Sequence, residues 1–372
     1  MFGFSFNKKK YSLGIDFGTS FLKIVELEHR ESGIYLSNYG QVELPLRKSD
    51  IMSNLERALD EDEEIANVLG GLMKKMSLKS ETAFISMGSY KGLSAIANIE
   101  DNGNKDDLNE IIKLEAHKYI PVSLDEVYLS SDIISRNGKT EVKEKESGFG
   151  KMKLFNKTEK GEMLEILLVA APKEDVHKYE KIIEANGLKV ESFELDIFSA
   201  VRSLVGNETG DFLIIDIGAK ITNMILVENG IIKINRNINI GGGEITKNIS
   251  VSMNISMERA EEFKKKNEYL KAEGKSIILP VINIIAKEAS RIIEGREREK
   301  NGNQLNIIIS GGGSQIYGLK DIFFDSLKTE VVIGNPWKNI AIENEDLKNI
   351  ASDISPMYTV ATGLALKGIR KG

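Results

Sequence analysis

The sequence predicts an α/β protein built from two related lobes around a cleft. Three observations carry this. At 372 residues the chain is too long for one small hydrophobic core. An apolar strand, an Asp-x-Gly, a short polar turn and a second apolar strand occur twice, in "SLGIDFGTSFLKIVELE" (12–28) and "DFLIIDIGAKITNMILVENG" (211–230). A third piece, "LNIIISGGGSQIYGLKDIFFDSL" (305–327), reads as a buried strand, a triple-glycine turn and a helix.

The elements follow in order. Residues 11–30 read as two strands joined by a Gly-Thr-Ser turn, and 34–44 as a third. Residues 50–76 have helical spacing, with Gly70-Gly71 weakening the middle. "ETAFISMG" (81–88) is a strand entering a glycine turn. In 106–121, Leu108, Ile111, Ile112, Ala116 and Tyr119 share a helical face that Pro121 ends. Residues 135–162 are polar, lysine-rich and glycine-spotted, and predict a mobile insertion or long hairpin loop. "MLEILLVAAP" (163–172) is a buried strand, and 173–187 a helix closed by Asn-Gly. Past the second Asp-x-Gly copy, Gly241, Gly242 and Gly243 precede a helix start. Residues 256–267 form a helix with Ser256 as N-cap, and 279–299 a long amphipathic helix. The stretch 355–368 is small and apolar.

Composition excludes several classes. The net charge of -6 opposes a nucleic-acid binder. With no cysteine, disulfides and thiolate metal sites are impossible, and a reducing cytoplasm is permitted. The three histidines show no metal-ligand spacing. No segment reaches the roughly 18 to 20 apolar residues that span a bilayer. The N-terminal "MFGFSFNKKK" reads either as a frayed terminus or as a weak membrane-surface contact through Phe2, Phe4 and Phe6.

The repeated motif has a chemical reading. A carboxylate at a strand end repels phosphate, but serves it when Mg²⁺ and its waters lie between. After Asp16, Gly18 permits close backbone approach, Thr19 and Ser20 supply hydroxyl and N–H donors, and Lys23 adds a positive charge. The second copy offers Asp216, Gly218, Lys220 and Thr222. Two such hairpins face to face would grip a triphosphate. The turn Gly311-Gly312-Gly313-Ser314-Gln315 would seat a base or ribose against bare backbone, helped by a helix N-terminus.

The order of these motifs resembles the actin-like ATPase superfamily, with its two ribonuclease H-like lobes around a nucleotide cleft. Its phosphate-1, phosphate-2 and adenosine motifs resemble "GIDFGTSFLK", "IIDIGAKITNM" and "IIISGGGSQIYGL". "AEEFK" (260–264) resembles an FtsA-type helix, which implies that Glu261 and Lys264 flank ribose and base. The residues alone also read as an exposed ion-paired face. "FELDIFSAVRSL" (193–204) and "MYTVATGLAL" resemble the two connecting segments, which implies a water-orienting role for Glu194 or Asp196. Within the superfamily the chain is similar to the PilM family of type IV pilus assembly, related to FtsA. "EAHKYIPVSLDEVYL" (115–129) resembles that family's inserted subdomain, and "ELDIFSA" its acidic segment, here with Glu before Asp.

That resemblance implies a domain plan. Residues 1–10 are a tail, and 11–80 with 188–208 the first lobe. Residues 81–187 are the FtsA/PilM-type inserted subdomain, 209–240 with 301–372 the second lobe, and 241–300 its helical subdomain. It also implies ATP and Mg²⁺ as ligands, with Asp16 and Asp216 holding Mg²⁺ through water. The implied partner is the cytoplasmic N-terminal peptide of a PilN-like bitopic protein, alongside other inner-membrane pilus components. Self-association and the extent of ATP hydrolysis stay open. The implied place is the cytoplasm, at the inner face of the membrane. Two alternatives are an FtsA-like filament protein, against which the ending "LALKGIRKG" speaks, and a small-molecule kinase with Asp196 as base.

Overall fold

The computed structural model describes residues 10–44, 55–101, 105–136, 139–140, 161–266, 275–299 and 304–371. The first hairpin pairs β1 (Tyr11–Phe17) with β2 (Phe21–Arg30), and β2 continues into β3 (Gly33–Glu43). Helix α1 (Leu55–Met76) returns the chain to β4 (Thr82–Met87), which lies parallel to β1. Helix α1 runs unbroken through Gly70-Gly71. A Cβ on Gly70 would lie 2.5 Å from Asn186 Oδ1, so the glycine lets the chain after the next lobe helix approach.

The insertion follows β4. It comprises β5 (Leu93–Glu100), α2 (Lys105–Ala116), β6 (Val127–Arg136), β7 (Lys139–Thr140) and β8 (Met163–Pro172). Its sheet has the order β5-β8-β6-β7. Leu108, Ile112 and Ala116 bury one face of α2 on that sheet. Tyr119 lies past the helix end and is exposed, because α2 stops before the predicted Pro121. The predicted insertion at 135–162 falls mostly outside the described residues, as does nearly all of the N-terminal tail.

Helix α3 (Lys173–Glu184) ends in a left-handed Gly187, where the positive φ removes the Cβ penalty. Strand β9 (Lys189–Leu195) then joins β4 in parallel, and α4 (Asp196–Leu204) leaves for the second lobe. The first-lobe sheet therefore has the order β3-β2-β1-β4-β9.

The second lobe repeats the plan. It holds β10 (Asp211–Ile217), β11 (Thr222–Glu228), β12 (Ile231–Ile238), α5 (Gly242–Met253), α6 (Met257–Lys265), α7 (Lys275–Glu299), β13 (Leu305–Ser310), α8 (Leu319–Leu327) and β14 (Val331–Ile333). Its sheet order, β12-β11-β10-β13-β14, matches the first position for position, antiparallel across the first three strands and parallel thereafter. Ser256 caps α6 as predicted, accepting from the Arg259 N–H. Last come α9 (Glu345–Ile354) and α10 (Thr359–Lys371).

Four predicted boundaries move, the first being the end of the insertion, at Pro172 rather than 187, because α3 buries Val176, Tyr179, Ile182 and Ile183 in the first-lobe core. Strand β4 belongs to the first-lobe sheet, so the insertion begins after Met87 rather than at 81. Helix α7 buries Val281, Ile282, Ile285 and Ala289 against the second-lobe sheet, so it is part of that lobe's core. Helix α10 packs on α4, β1, β2 and β4, which places the chain's last helix in the first lobe. Close approach explains this docking. A Cβ on Gly363 would lie 1.9 Å from Ser199 O of α4, and one on Gly14 would lie 2.1 Å from Ala361 O. Helix α4 also packs Ile197, Ala200 and Leu204 with Phe212, Ile214 and Ile225 of the second lobe, so one core runs through both lobes.

Candidate functional site

The two hairpin tips are built alike. The Gly18 N–H donates to Phe21 O at 3.0 Å, and the Gly218 N–H to Ile221 O at 2.9 Å. In each, a glycine Cβ would lie 2.7 Å from that same carbonyl, which is why glycine stands there. The tips and the turn after β13 open onto one cleft. Its lining includes Asp16, Gly18, Thr19, Ser20, Lys23, Asp196, Asp216, Gly218, Gly311 and Gly312.

Three carboxylates converge here. Asp16 Oδ1 accepts from Ser86 Oγ at 2.8 Å, and its Oδ2 lies 4.0 Å from Lys23 Nζ. Asp196 accepts from the Ser89 N–H and from Asn223 Nδ2, both at 3.0 Å. Burial raises all three pKa values, because it penalises the charged form. It lifts Asp16 above the usual carboxylate range, with Lys23 and Ser86 pulling back. Asp196 is pushed up to about 7, by burial first and then by Asp16 and Asp216. Asp216 is pushed up to about 6 by burial, with Lys23 opposing and Asp16 adding.

The rest of the cleft is backbone and small side chains. Gly311 has φ +80, and a Cβ there would lie 2.4 Å from Asp216 Oδ1. Its N–H donates to Pro356 O at 3.1 Å, tying this turn to the segment before α10. The turn runs into a 3-10 helix, Gly312–Gln315, and α8 starts only at Leu319. The predicted helix N-terminus at the glycines is therefore absent, and backbone N–H groups alone supply the positive potential there.

Several predicted site residues stand elsewhere. Glu194 is buried behind the cleft. It accepts from Arg202 Nη1 at 2.6 Å and Nη2 at 3.0 Å, from Lys367 Nζ at 2.6 Å, and from Ser199 Oγ. Burial opposes its charge, but Arg202 and Lys367 prevail and hold it at about 2. It fastens β9, α4 and α10 together and lies outside the cleft lining. Thr222 is wholly buried, and its hydroxyl donates to Ile240 O at 2.7 Å. Lys220 is exposed and outside the lining.

The Gly241-Gly242-Gly243 run supports the second hairpin from behind. The Gly242 N–H donates to Gly218 O at 2.9 Å, and the Gly243 N–H to Ala219 O at 2.7 Å. Lys264 pairs with Glu261 at 2.6 Å and donates to Gly242 O at 2.9 Å, while Glu261 also accepts from Thr246. Burial lowers the Lys264 pKa. Burial opposes ionisation of Glu261, but Lys264 and Thr246 bring it below its ordinary value. Gly313 packs on Ile217, Ser314 Oγ donates to Gly311 O, and Gln315 Nε2 donates to Asp353 O. None of these eight predicted residues lines the cleft.

The structure adds Ser86, Ser89, Asn223 and Tyr90. Asn223 Oδ1 is buried without a hydrogen-bond partner at the cleft. Its signal lay in the register: Asn223 sits opposite Asp216 as Lys23 sits opposite Asp16. The donor set is hard oxygen, which fits Mg²⁺. No three carboxylates or histidines among the described residues stand close enough to ligate an ion together.

Comparison with known proteins agrees with this fold. A family model described as type IV pilus assembly protein PilM matches residues 14–146 and 149–369. A solved PilM-PilN type IV pilus biogenesis complex contains a chain with TM-score 0.78 and 22% identity, covering 97% of this chain and 99% of that one. MreB5 of Spiroplasma citri bound to ADP has TM-score 0.50 and 14% identity, covering 98% of this chain and 100% of that one. Cell division protein FtsA of Bacillus subtilis (strain 168) is 22% identical over 366 residues, covering 89% of this chain and 80% of FtsA. With a two-lobed actin-like fold and a family match that runs nearly end to end, the chain belongs to the PilM family of type IV pilus assembly proteins.

Proposed function

We propose that this chain binds Mg-ATP between its lobes and serves as the actin-like adaptor of a type IV pilus inner-membrane platform. The observation that carries the reading is the pairing of hairpins. Two copies of one turn, from different lobes, direct Asp16 and Asp216 into one cleft beside the cation of Lys23. Burial raises the pKa values of Asp16, Asp196 and Asp216, and a hydrated divalent cation beside them would favour their charged forms.

The roles follow from position. Thr19 and Ser20 donate to phosphate oxygens at the first tip, and Gly18 and Gly218 let backbone N–H groups approach. Asp16 and Asp216 orient the waters of Mg²⁺, which neutralises phosphate charge. Lys23 meets the oxygens directly. Asp196, held by Ser89 and Asn223, is the group placed to orient an attacking water, so slow hydrolysis fits the site. Gly311 and Gly312 give the nucleoside a bare backbone wall.

The partner reading draws on the PilM-PilN neighbour. A PilN-like cytoplasmic tail would lie extended in a groove between the first lobe and its insertion, anchored by apolar side chains. No helix among the described residues is long and apolar enough to cross a membrane, so attachment to the inner face would come through that partner. A synthetic N-terminal peptide of a PilN-like bitopic protein from the same genome tests the adaptor role. Micromolar binding or tighter, changed by Mg-ATP, supports it; no binding with Mg-ATP present contradicts it.

A further inference from the structure

Strand β12 is an edge strand of the second-lobe sheet, and two of its side chains reach out of that lobe. Lys233 Nζ donates to both carboxylate oxygens of Glu165 on β8, at 3.2 and 3.3 Å. Asn237 Oδ1 accepts from Ser89 Oγ at 3.2 Å. Ser89 lies in the turn that joins β4 to β5, where the first lobe becomes the insertion.

Local geometry makes these contacts specific. The β11–β12 ladder slips at Leu226 and Val227, and Lys233 is the residue left over. A bulge of this kind re-aims a side chain, here toward Glu165. Between the two contacts Asn235 Oδ1 is buried without a partner. A permanently closed face would carry that cost throughout. A face that parts would rehydrate the oxygen. The Lys233–Glu165 pair is 27% and 32% exposed, and pairs so placed add little to global stability. They break readily.

We propose that β12 is a reversible latch by which the second lobe holds the insertion, so that opening of the cleft moves the insertion. The 88–92 turn links the two sites. The Ser89 N–H donates to Asp196 Oδ1, Tyr90 lines the cleft, and Lys91 pairs with Asp175 on α3. Parting the lobes at the cleft must separate Asn237 from Ser89 and Lys233 from Glu165. The nucleotide response of the latch rests on the reading given above; the latch itself needs no ligand.

The cysteine-free chain allows a direct test. Glu126→Cys on the insertion and Ser252→Cys on α5, both exposed, take spin labels for distance measurement in the ligand-free protein. Lys233→Glu and Glu165→Lys each shift the distance outward and broaden it, and the two together restore the parental distribution. Lys233→Met, which removes the pair without repulsion, shifts it the same way. Distributions for all three single variants that superimpose on the parent would overturn the latch. If the variants shift and Mg-ATP changes nothing in the parent, the latch stands and the nucleotide reading fails.

Discussion

Lys23 and Asn223 occupy the same register position in two copies of one hairpin. Lys23 sits opposite Asp16 on β2, and Asn223 opposite Asp216 on β11. The first lobe thus places a cation beside its carboxylate. The second places an amide, which reaches past its neighbour to Asp196 Oδ2 at 3.0 Å. Lys23 is the charge that opposes burial for both Asp16 and Asp216. Lys23→Ala is expected to weaken Mg-ATP binding by about 10-fold or more, the order of one lost charge-assisted hydrogen bond. Isothermal calorimetry on the folded variant checks this, and unchanged affinity would remove Lys23 from the site.

Asp196 makes the pH dependence predictable. Its carboxyl is pushed from 3.8 to about 7, so the folded state holds a proton that the unfolded chain releases. The stability this contributes is fully present below pH ~4 and is lost as pH rises through about 7. Asp196→Asn removes the share of the slope that Asp196 contributes, while Asp16 and Asp216 keep theirs. Without nucleotide, the melting temperature of the parent should fall relative to the variant between pH 5 and pH 8. Altered hydrogen bonds to Ser89 and Asn223 offset the level, so the slope is the readout. Parallel curves would contradict the assignment.

Glu194 separates a structural from a catalytic role. Glu194→Ala leaves Arg202 and Lys367 with no carboxylate between them, in a place where Lys367 is almost fully buried. Breaking such a cluster costs about 3–5 kcal/mol. Chemical denaturation should show that loss. A water-orienting Glu194 would instead leave stability intact and lower only turnover.

Gly363 is a packing test. Its missing Cβ lets α10 meet the backbone of α4 at Ser199. Gly363→Ala should destabilise by about 1–3 kcal/mol through overpacking, although alanine is the better helix former. A stabilised variant would mean that the two helices do not approach this closely.

Much of the fold was legible because its signals are local. Asp16-Phe17-Gly18 and Asp216-Ile217-Gly218 mark strand ends by chemistry, and the apolar runs beside them mark buried strands. The cleft's carboxylates and glycine tips followed from the same spacing. What was not legible depends on register and long-range packing. Glu194 and Asp196 are two residues apart at the junction of a strand and a helix, yet one faces the cleft and the other a buried Arg-Lys pair. Thr222 looked like a phosphate donor, but its hydroxyl turns to Ile240 O on the other side. The docking of α10 on the first lobe rests on Gly14 and Gly363, whose role appears only when both backbones are seen together.

If Asp16, at the end of β1, holds hydrated Mg²⁺ for a nucleotide shared by both lobes, as proposed, removing its carboxylate abolishes Mg-ATP binding. Titration of Mg-ATP into the parent and into Asp16→Ala, by calorimetry at equal folded concentration, tests it most directly. Binding by the parent that requires Mg²⁺, with heat lost in a variant whose melting curve stays cooperative, is the predicted result. Full affinity in Asp16→Ala, or no Mg-ATP binding by the folded parent, would contradict it.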